Sequence, residues 1–383
     1  GGHESTVTAL FEEKEITARV TSGGQLTTKK IPIPDGAKLV GDNTFLPNAP
    51  RLKVGDTMDY KCFNPLTLTL DDLRAEVEKV ETITISTQTW DAFVVKSASP
   101  LGEMTCWQSE KGDLLKVVGL MGITMLRETR EAAQSLSSET GAYDPPSDLA
   151  VITSAPTVTK IPYPRHAKSM KIKIWGLKER SLAISDDRQR ATTSGGKPFT
   201  AEYAITATEP DFSKSATLPI TDPAMDKYLG DTPYVHASDP ETVALARKVV
   251  GDDRSAGMAA SRLRAWVNAN MNPKGNIGIV RSSVDVLHAK TGVCRDYAIL
   301  YTALARAVGI PTKLVGGLIY WKGGFYYHAW AESYVGWWLP VDATQQTDFV
   351  DATHIKLTEG EASAMFDMVK TMGSLKAEIL EFN

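Results

Sequence analysis

The sequence predicts an α+β fold, in which a β-rich N-terminal region precedes a C-terminal domain with a helix packed on an antiparallel sheet. Three observations lead to this prediction. Strand-like runs broken by Gly, Pro, Asn and Asp extend to about residue 220, helical patterns begin near Ser238, and a long amphipathic helix at Cys294 precedes three strand-like runs. A chain of 383 residues is long enough for two or three domains.

Residues 1–145 are expected to form the first β-rich domain, because short apolar and β-branched runs alternate there with turn-forming residues. The clearest runs are Glu76–Ser86, Thr89–Val95 and Leu114–Val118. One helix is predicted over Leu70–Glu76, since Thr69 can cap its N-terminus. The polar stretch 127–148 is expected to end a helix and continue as a linker.

A second β-rich segment is predicted over residues 150–222. The run Lys168–Ile174 alternates strictly and places its three large apolar residues on one face. Phe199–Ala207 alternates as well, and a Ser-Gly-Gly turn signal lies between the two runs. Both runs are therefore expected to be half-buried strands.

From Ser238 the sequence becomes helical, and we predict the C-terminal domain over residues 226–383. The first helix begins at Pro240, with Ser238 or Asp239 as its N-cap. A second helix is predicted over Met258–Asn270. Ser282 or Ser283 is expected to cap a short third helix.

The longest helical pattern opens at Cys294 and runs to about Val308, with a broad apolar stripe on one face. Gly309 supplies a left-handed C-cap, and Pro311 prevents the helix from continuing. The strand-like runs that follow are Thr312–Tyr320, Phe325–Tyr334 and a run from Gly336 that ends at Asp342. The predicted unit is one helix followed by an antiparallel meander.

Cys294, His328 and Asp342 have the placement that a thiol active site needs. A thiol at a helix N-terminus faces unpaired backbone N–H groups and the positive end of the helix dipole, and both favour the thiolate. His328, in mid-strand, can hold the thiol proton, and Asp342 on the adjacent strand can fix its tautomer. Taken singly, such residues are more often a buried small thiol, a satisfied core histidine and a turn-forming aspartate.

Three local sequences together carry a family resemblance: GVCRDYAILYTALARAVGIPTKLVGG around Cys294, HAWAE at His328 and VDAT at Asp342. They resemble the transglutaminase-like superfamily of papain-like thiol enzymes, over about Ser238–Thr344. The resemblance implies that Cys294 is the nucleophile, His328 the general base and acid, and Asp342 the orienting acid. The family usually has VDPT at the last motif, and Ala343 stands here in place of the proline.

Three further residues are candidate supports for this site. Asp296 is expected to cap and pack the helix start rather than to react. Trp330 shares the strand face of His328 and either walls the cleft or lies in the core. His288, one helix earlier, is a candidate oxyanion donor or cleft residue. No counterpart is found for the Trp that animal transglutaminases use near the oxyanion, so backbone N–H groups or another side chain must serve there.

The resemblance implies thiol-dependent acyl transfer on an amide bond, through a thioester intermediate. Release to water makes a cysteine peptidase or amidase, whereas release to an amine makes a protein-glutamine transglutaminase. Bacterial chains of this layout are more often hydrolases within the family, so hydrolysis is the first expectation. A non-catalytic binding module is a third alternative, although such versions typically lose one of the three residues.

Composition argues against several other classes. A formal net charge of −4 provides no field that would collect nucleic acid, and no apolar run approaches the ~20 residues that span a bilayer. No metal or cofactor is expected, because neither zinc-ligand spacings nor an acidic loop of the calcium-site type is found. A peptide or protein substrate is the expected partner, and the oligomeric state is not readable.

The sequence contains three cysteines. Cys62 and Cys106 either form one disulfide that leaves Cys294 free or are two separate core thiols. The bridged form would suit an oxidising compartment. With the β-rich layout and an N-terminus without a visible targeting segment, it leads us to expect a periplasmic or secreted location.

Overall fold

The computed structural model describes residues 6–22, 25–40, 52–65, 68–85, 88–99, 102–119, 124–130, 154–273, 280–371 and 373–383. The chain divides into two compact units. One comprises residues 146–383 with 1–8 and 19–28, and the other comprises 9–18 and 29–145. Strands occur throughout, and the α-helices of the described residues lie between 240 and 307, so the predicted α+β class is confirmed. Most of the linker predicted over 127–148, from residue 131 onward, lies outside the described residues.

Two sheets make up the N-terminal part of the described chain. Strands β1 (Thr6–Phe11), β2 (Glu15–Ser22) and β3 (Gln25–Pro32) form a three-stranded sheet in that order. The strands of the second sheet, in spatial as in chain order, are β4 (Leu39–Val40), β5 (Thr57–Asn64), β6 (Thr69–Ile85), β7 (Gln88–Ser99), β8 (Gly102–Ser109), β9 (Leu114–Val118) and β10 (Thr124–Leu126). All its neighbours are antiparallel except β4 and β5, which run parallel.

The helix predicted over Leu70–Glu76 is wrong, because this segment is the beginning of strand β6. Its residues pair antiparallel with β5, from Thr69 opposite Asn64 to Glu76 opposite Thr57. Leu73, Ala75 and Val77 are buried and alternate with exposed neighbours. A two-residue period buries one face of a strand but would scatter around a helix. The apolar period and the partner strand therefore outweigh the local capping signal.

The disulfide alternative for Cys62 and Cys106 is also wrong. None of the three cysteines, all of which the structure describes, forms a disulfide. Cys62 lies on β5 and Cys106 on β8, with β6 and β7 between them. Three inter-strand steps separate the two backbones by about 14 Å, far beyond the reach of a disulfide. Burial raises the pKa of the Cys106 thiol to about 11, as for an inert core thiol.

The larger unit contains four α-helices among its described residues: α1 (Pro240–Val250), α2 (Ala256–Asn270), α3 (Ser283–Ala289) and α4 (Cys294–Ala307). Its strands are β11 (Ala155–Pro156), β12 (Ser169–Leu177), β13 (Gln189–Ser194), β14 (Phe199–Thr206), β15 (Asn272–Pro273), β16 (Thr291–Gly292), β17 (Thr312–Trp321), β18 (Gly324–Tyr334), β19 (Trp338–Val341), β20 (Ile355–Gly360) and β21 (Lys376–Phe382). The helix caps agree with the sequence prediction. Asp239 accepts from the first-turn N–H groups of α1, and Ser282 forms a capping box at α3.

Two sheets and one buried helix form the core of this unit. One sheet has the order β11-β18-β17-β20, in which β11 pairs with the beginning of β18 and β19 pairs with its end. The second sheet has the order β13-β14-β12-β21. Helix α4 is buried on both sides: Ile299 and Ala303 join a core with Leu314 of β17, while Leu300 and Leu304 join a core with α1 and α2. The predicted helix followed by a meander is therefore confirmed.

The second β-rich segment shares a sheet with the end of the chain. Met170, Ile172 and Ile174 of β12 are fully buried, as their alternation predicts. Strand β12 pairs with β14 on one edge and with β21 on the other. The domain boundaries predicted at 150–222 and 226–383 stay predictions.

Candidate active site

The thiol of Cys294 lies at the N-terminus of α4. The preceding residue, Val293, is extended, and its N–H donates to Asp296 Oδ2 over 3.0 Å. Arg281 Nη2 donates to the same oxygen at 2.7 Å and to the Thr291 carbonyl at 2.6 Å. Asp296 is thereby engaged in capping the helix start and in an ion pair, the contacts expected of it from the sequence.

Gly292 allows this cap to close. A Cβ at this position would lie 2.5 Å from Asp296 Cβ and 2.8 Å from Arg281 Nη2. Contacts this short do not occur, so a larger residue would push the capping carboxylate away. The Gly-Val-Cys sequence thus fixes where the thiol emerges from the helix.

The Cys294 sulfur has two hydrogen-bond partners. One is the His328 side chain, and the other is the N–H of Ala329. Burial raises the pKa of the thiol, but these hydrogen bonds and the charge of His328 outweigh burial and hold the pKa below its usual value. The thiolate is the nucleophilic form of cysteine, so the surroundings favour reactivity.

His328 is presented by strand β18, opposite Gly317 of β17. Its Nε2 lies 2.9 Å from Asp342 Oδ2, and its side chain is 10 % exposed. Burial lowers the pKa of the imidazole, but the charge and hydrogen bond of Asp342 and the contact with Cys294 outweigh burial and raise it to about 10. The imidazolium form is therefore held between the thiol and the carboxylate.

Asp342 directly follows β19, whose pairing with β18 brings the carboxylate beside His328. The carboxylate is fully buried, and its Oδ1 accepts the Thr344 N–H at 2.9 Å and the Thr344 hydroxyl at 2.7 Å. Burial raises the pKa of Asp342, yet His328 and His354 together hold it well below the usual value. The three predicted residues thus form one continuous hydrogen-bonded chain.

The sequence model of the Transglutaminase-like superfamily matches residues 243–343, the stretch from α1 to just past Asp342. This part of the chain belongs to that superfamily. The chain is also 27 % identical over 137 residues to an uncharacterized protein of Mycobacterium leprae (strain TN), a match that covers 33 % of this chain. The chain spans about half (48 %) of the length of that curated relative.

Solved structures give looser overlaps. A candidate cysteine protease from Cytophaga hutchinsonii is 18 % identical, with a TM-score of 0.39 over 57 % of this chain and 89 % of that one. The periplasmic domain of TgpA from Pseudomonas aeruginosa is 14 % identical, with a TM-score of 0.33 over 52 % of this chain and 91 % of that one. At these scores the overlaps say nothing of the substrate of this chain.

The other two predicted supports of the transglutaminase-like domain differ in where they lie. Trp330 is fully buried and stacks on His328 with ring centroids 6.1 Å apart, so it lies in the core behind the imidazole. His288 is 54 % exposed, and its Nε2 lies 2.7 Å from Glu241 Oε2. The structure therefore places His288 in a surface pair and does not bring it into the hydrogen-bonded chain.

His354 is a site residue that the sequence analysis missed. It is fully buried, and its Nε2 lies 3.2 Å from Asp342 Oδ2. A signal for it is present in the sequence, because VDAT occurs twice, at 341–344 and again at 350–353, and His354 directly follows the second copy. His328, Asp342 and His354 place ligand atoms within 4.8 Å of one another. The hydrogen bonds already described account for this cluster without a metal.

Proposed function

We propose that the transglutaminase-like domain hydrolyses peptide or amide bonds of a peptide or protein substrate, with Cys294 as nucleophile. The observation that carries this proposal is the continuous chain from the Cys294 sulfur through His328 to Asp342, with a thiol pKa below its usual value. The geometry matches the nucleophile, base and orienting group of a thiol acyl-transfer site.

The chemistry follows from these contacts. The Cys294 thiolate adds to the carbonyl carbon, and the oxyanion forms beside the first turn of α4, where backbone N–H groups and the helix dipole stabilise negative charge. The C–N bond then breaks as the His328 imidazolium gives its proton to the departing amine, which leaves a thioester. Water, deprotonated by His328, attacks the thioester and releases the acid and the thiolate.

Transamidation to an amine is the second candidate, because the thioester forms in the same way and only the acceptor differs. The test is a paired assay on fluorescein-labelled casein, for release of peptides, and on dimethylcasein with monodansylcadaverine, for amine incorporation. The variants are Cys294→Ala and, as a matched control, Cys62→Ala. If peptides are released and Cys294→Ala abolishes their release, the result supports hydrolysis. If the amine is incorporated and no peptides are released, transamidation takes the place of hydrolysis as the proposed function.

The non-catalytic alternative is tested by chemistry that needs no substrate. Iodoacetamide is applied from pH 4 to 9, and the labelled cysteines are located by mass spectrometry. Fast labelling of Cys294 near pH 5–6 that depends on His328 supports the enzyme. If Cys294 reacts no faster than Cys62, with a titration near 8.5, the domain is a binding module.

Location and assembly stay predictions. No helix among the described residues is long and apolar enough to cross a membrane. A periplasmic or secreted location rested in part on a Cys62–Cys106 bridge, and that support is lost because neither thiol forms a disulfide. Fractionation of the source cells with an antibody against this chain would decide between the compartments.

A further inference from the structure

The two VDAT copies of the chain fold into two similar carboxylate turns. In the first, Asp342 Oδ1 accepts the N–H and the hydroxyl of Thr344. In the second, Asp351 Oδ1 accepts the N–H and the hydroxyl of Thr353. In each turn Oδ2 faces a histidine, and the ring of His354 lies between the two carboxylates.

The contacts of His354 involve both of its ring nitrogens. Nε2 lies 3.2 Å from Asp342 Oδ2, and Nδ1 lies 3.3 Å from both the carbonyl oxygen and Oδ2 of Asp351. The Gln345 amide nitrogen lies 3.3 Å from Nε2, so the amide must turn its oxygen toward this nitrogen when Nε2 is protonated. Because carboxylate oxygens only accept hydrogen bonds, a ring that satisfies both sides carries a proton on each nitrogen. A lone pair on Nε2 would instead face the Asp342 carboxylate.

Other charged groups complete the surroundings of His354. The ring of His328 lies edge to face with the ring of His354, with centroids 5.7 Å apart, and contacts the same Asp342 oxygen. Arg165 pairs with Asp351 Oδ2 at 2.8 Å, and Arg188 donates to the His354 carbonyl at 2.8 Å. Asp342 Oδ2 is therefore shared by two imidazoles, which compete for its hydrogen bonds and its negative charge.

We propose that His354 is a positioning residue that shares the Asp342 carboxylate with His328 and so limits how tightly the imidazolium form of His328 is held. This inference rests on the proposed function. The imidazolium must give the proton on its Cys294-facing nitrogen to a departing amine, and a carboxylate that served His328 alone at Nε2 would stabilise the imidazolium too strongly for that transfer. His354 has both a hydrogen bond to the shared oxygen and a like charge near the His328 ring, and both weaken that hold.

The preceding β-rich segment keeps His354 in this position. Arg188 reaches from the start of β13 to the carbonyl oxygens of Val350, Asp351 and His354. The side chain of Gln189 pairs with both the N–H and the carbonyl of Lys356, at 2.9 and 2.8 Å. His354 thus lies on a segment that is fixed at both ends.

The test follows the pH dependence of Cys294 alkylation by iodoacetamide in the full chain. A thiolate–imidazolium pair gives a plateau that ends, on the alkaline side, where His328 loses its proton. His354→Gln keeps a donor for Asp342 but removes the ring charge, and His354→Ala removes both. We expect this alkaline inflection to move up by about 1 pH unit in both variants, since a like charge within about 6 Å is lost. His166→Gln, on an exposed histidine, is the matched control and leaves the inflection in place.

Two results would overturn the inference. One is an alkaline inflection in His354→Gln that lies within ~0.2 pH unit of the wild type, which is roughly the measurement error, and the other is an inflection that moves down. If His354→Ala does not fold, His354→Gln, which keeps a donor for Asp342, decides alone. Failure of the proposed function looks different. In that case the wild type itself shows no plateau, and Cys294 titrates like Cys62.

Discussion

Replacing Asp342 by Asn tests the hydrogen-bonded chain with almost no change of shape. The Thr344 N–H and hydroxyl both donate to Oδ1, so the amide oxygen of the variant is expected there and its NH2 group toward His328. His328 Nε2, 2.9 Å from Oδ2, must then accept a hydrogen bond, which moves the ring proton to the nitrogen that serves Cys294. A ring in that tautomer cannot take the thiol proton.

The size of the effect follows from the pKa of His328. The shift from 6.5 to about 10 corresponds to about 5 kcal/mol of preference for the imidazolium form, and Asp342 is its largest favourable source. Without that carboxylate, Cys294 is expected to behave as an ordinary thiol. At pH 6 an ordinary thiol of pKa near 8.5 is only about 0.3 % thiolate. Alkylation of Cys294 at pH 6 should therefore slow by about 100-fold, and turnover of an amide substrate by about 10⁴-fold.

The assay is the second-order rate of iodoacetamide labelling at Cys294, read by mass spectrometry at pH 6 and pH 9. The rate at pH 9 should stay within about threefold, because an ordinary thiol is largely ionised there. Asp226→Asn, on an exposed carboxylate, is the matched control. A rate at pH 6 within threefold of the wild type, roughly the spread between neutral variants, would show that Asp342 does not hold the imidazolium.

Three further variants probe the frame of the site. Asp296→Ala should lower the free energy of unfolding by about 1–2 kcal/mol in urea titrations, through loss of the cap, without moving the pH inflections of alkylation; moved inflections would point to a catalytic role. Gly317→Ala should lower the free energy of unfolding by more than about 3 kcal/mol, because its Cβ would lie 1.9 Å from the Ile355 carbonyl oxygen. Gly196→Ala, whose Cβ would have no atom within 4 Å, is the control and should leave the free energy of unfolding nearly unchanged. The buried carboxyl of Asp351 has its pKa lowered from 3.8 to about 2. The ionised carboxylate should contribute about 2 kcal/mol to the free energy of unfolding, and this stabilisation is present above pH 3.8 and lost as the pH falls through 2. Urea titrations over a series of pH values should show this loss in the wild type and not in Asp351→Asn.

The sequence predicted those parts of the transglutaminase-like domain whose signals are local. Helix α4 begins at Cys294 as expected, since a small-residue turn precedes an apolar stripe there. Caps at Asp239 and Ser282 identified two other helix starts. The meander followed from alternation and from the turn at Gly323. Because these elements are consecutive in the chain, their order alone places His328 beside Asp342.

What the sequence analysis missed depends on contacts that are distant in the chain. The segment at Leu70 has a helix cap signal, but pairing with β5 decides its structure. His354 has neither a helix start nor a mid-strand position to mark it, and only the repeated VDAT hinted at its role. His288 was a candidate because it precedes the Cys294 helix, yet its ring pairs with Glu241 at the surface. His288 was predicted near the site because it is close to Cys294 in sequence, and His354 was missed because it is distant from Cys294 in sequence.

The second β-rich segment has a more direct part in the site than its strand pattern indicates. Arg188 and Gln189, predicted to lie outside the 226–383 domain, hold the backbone on both sides of His354. Strand β12 also lies between β14 and the C-terminal strand β21, so its buried face belongs to the same core as part of α4. A cut at 226 would leave β21 without its neighbour and His354 without its fixed segment. These contacts favour a structural unit that begins before residue 165, in which the charges around Cys294, His328 and Asp342 depend on side chains more than 100 residues upstream of Cys294.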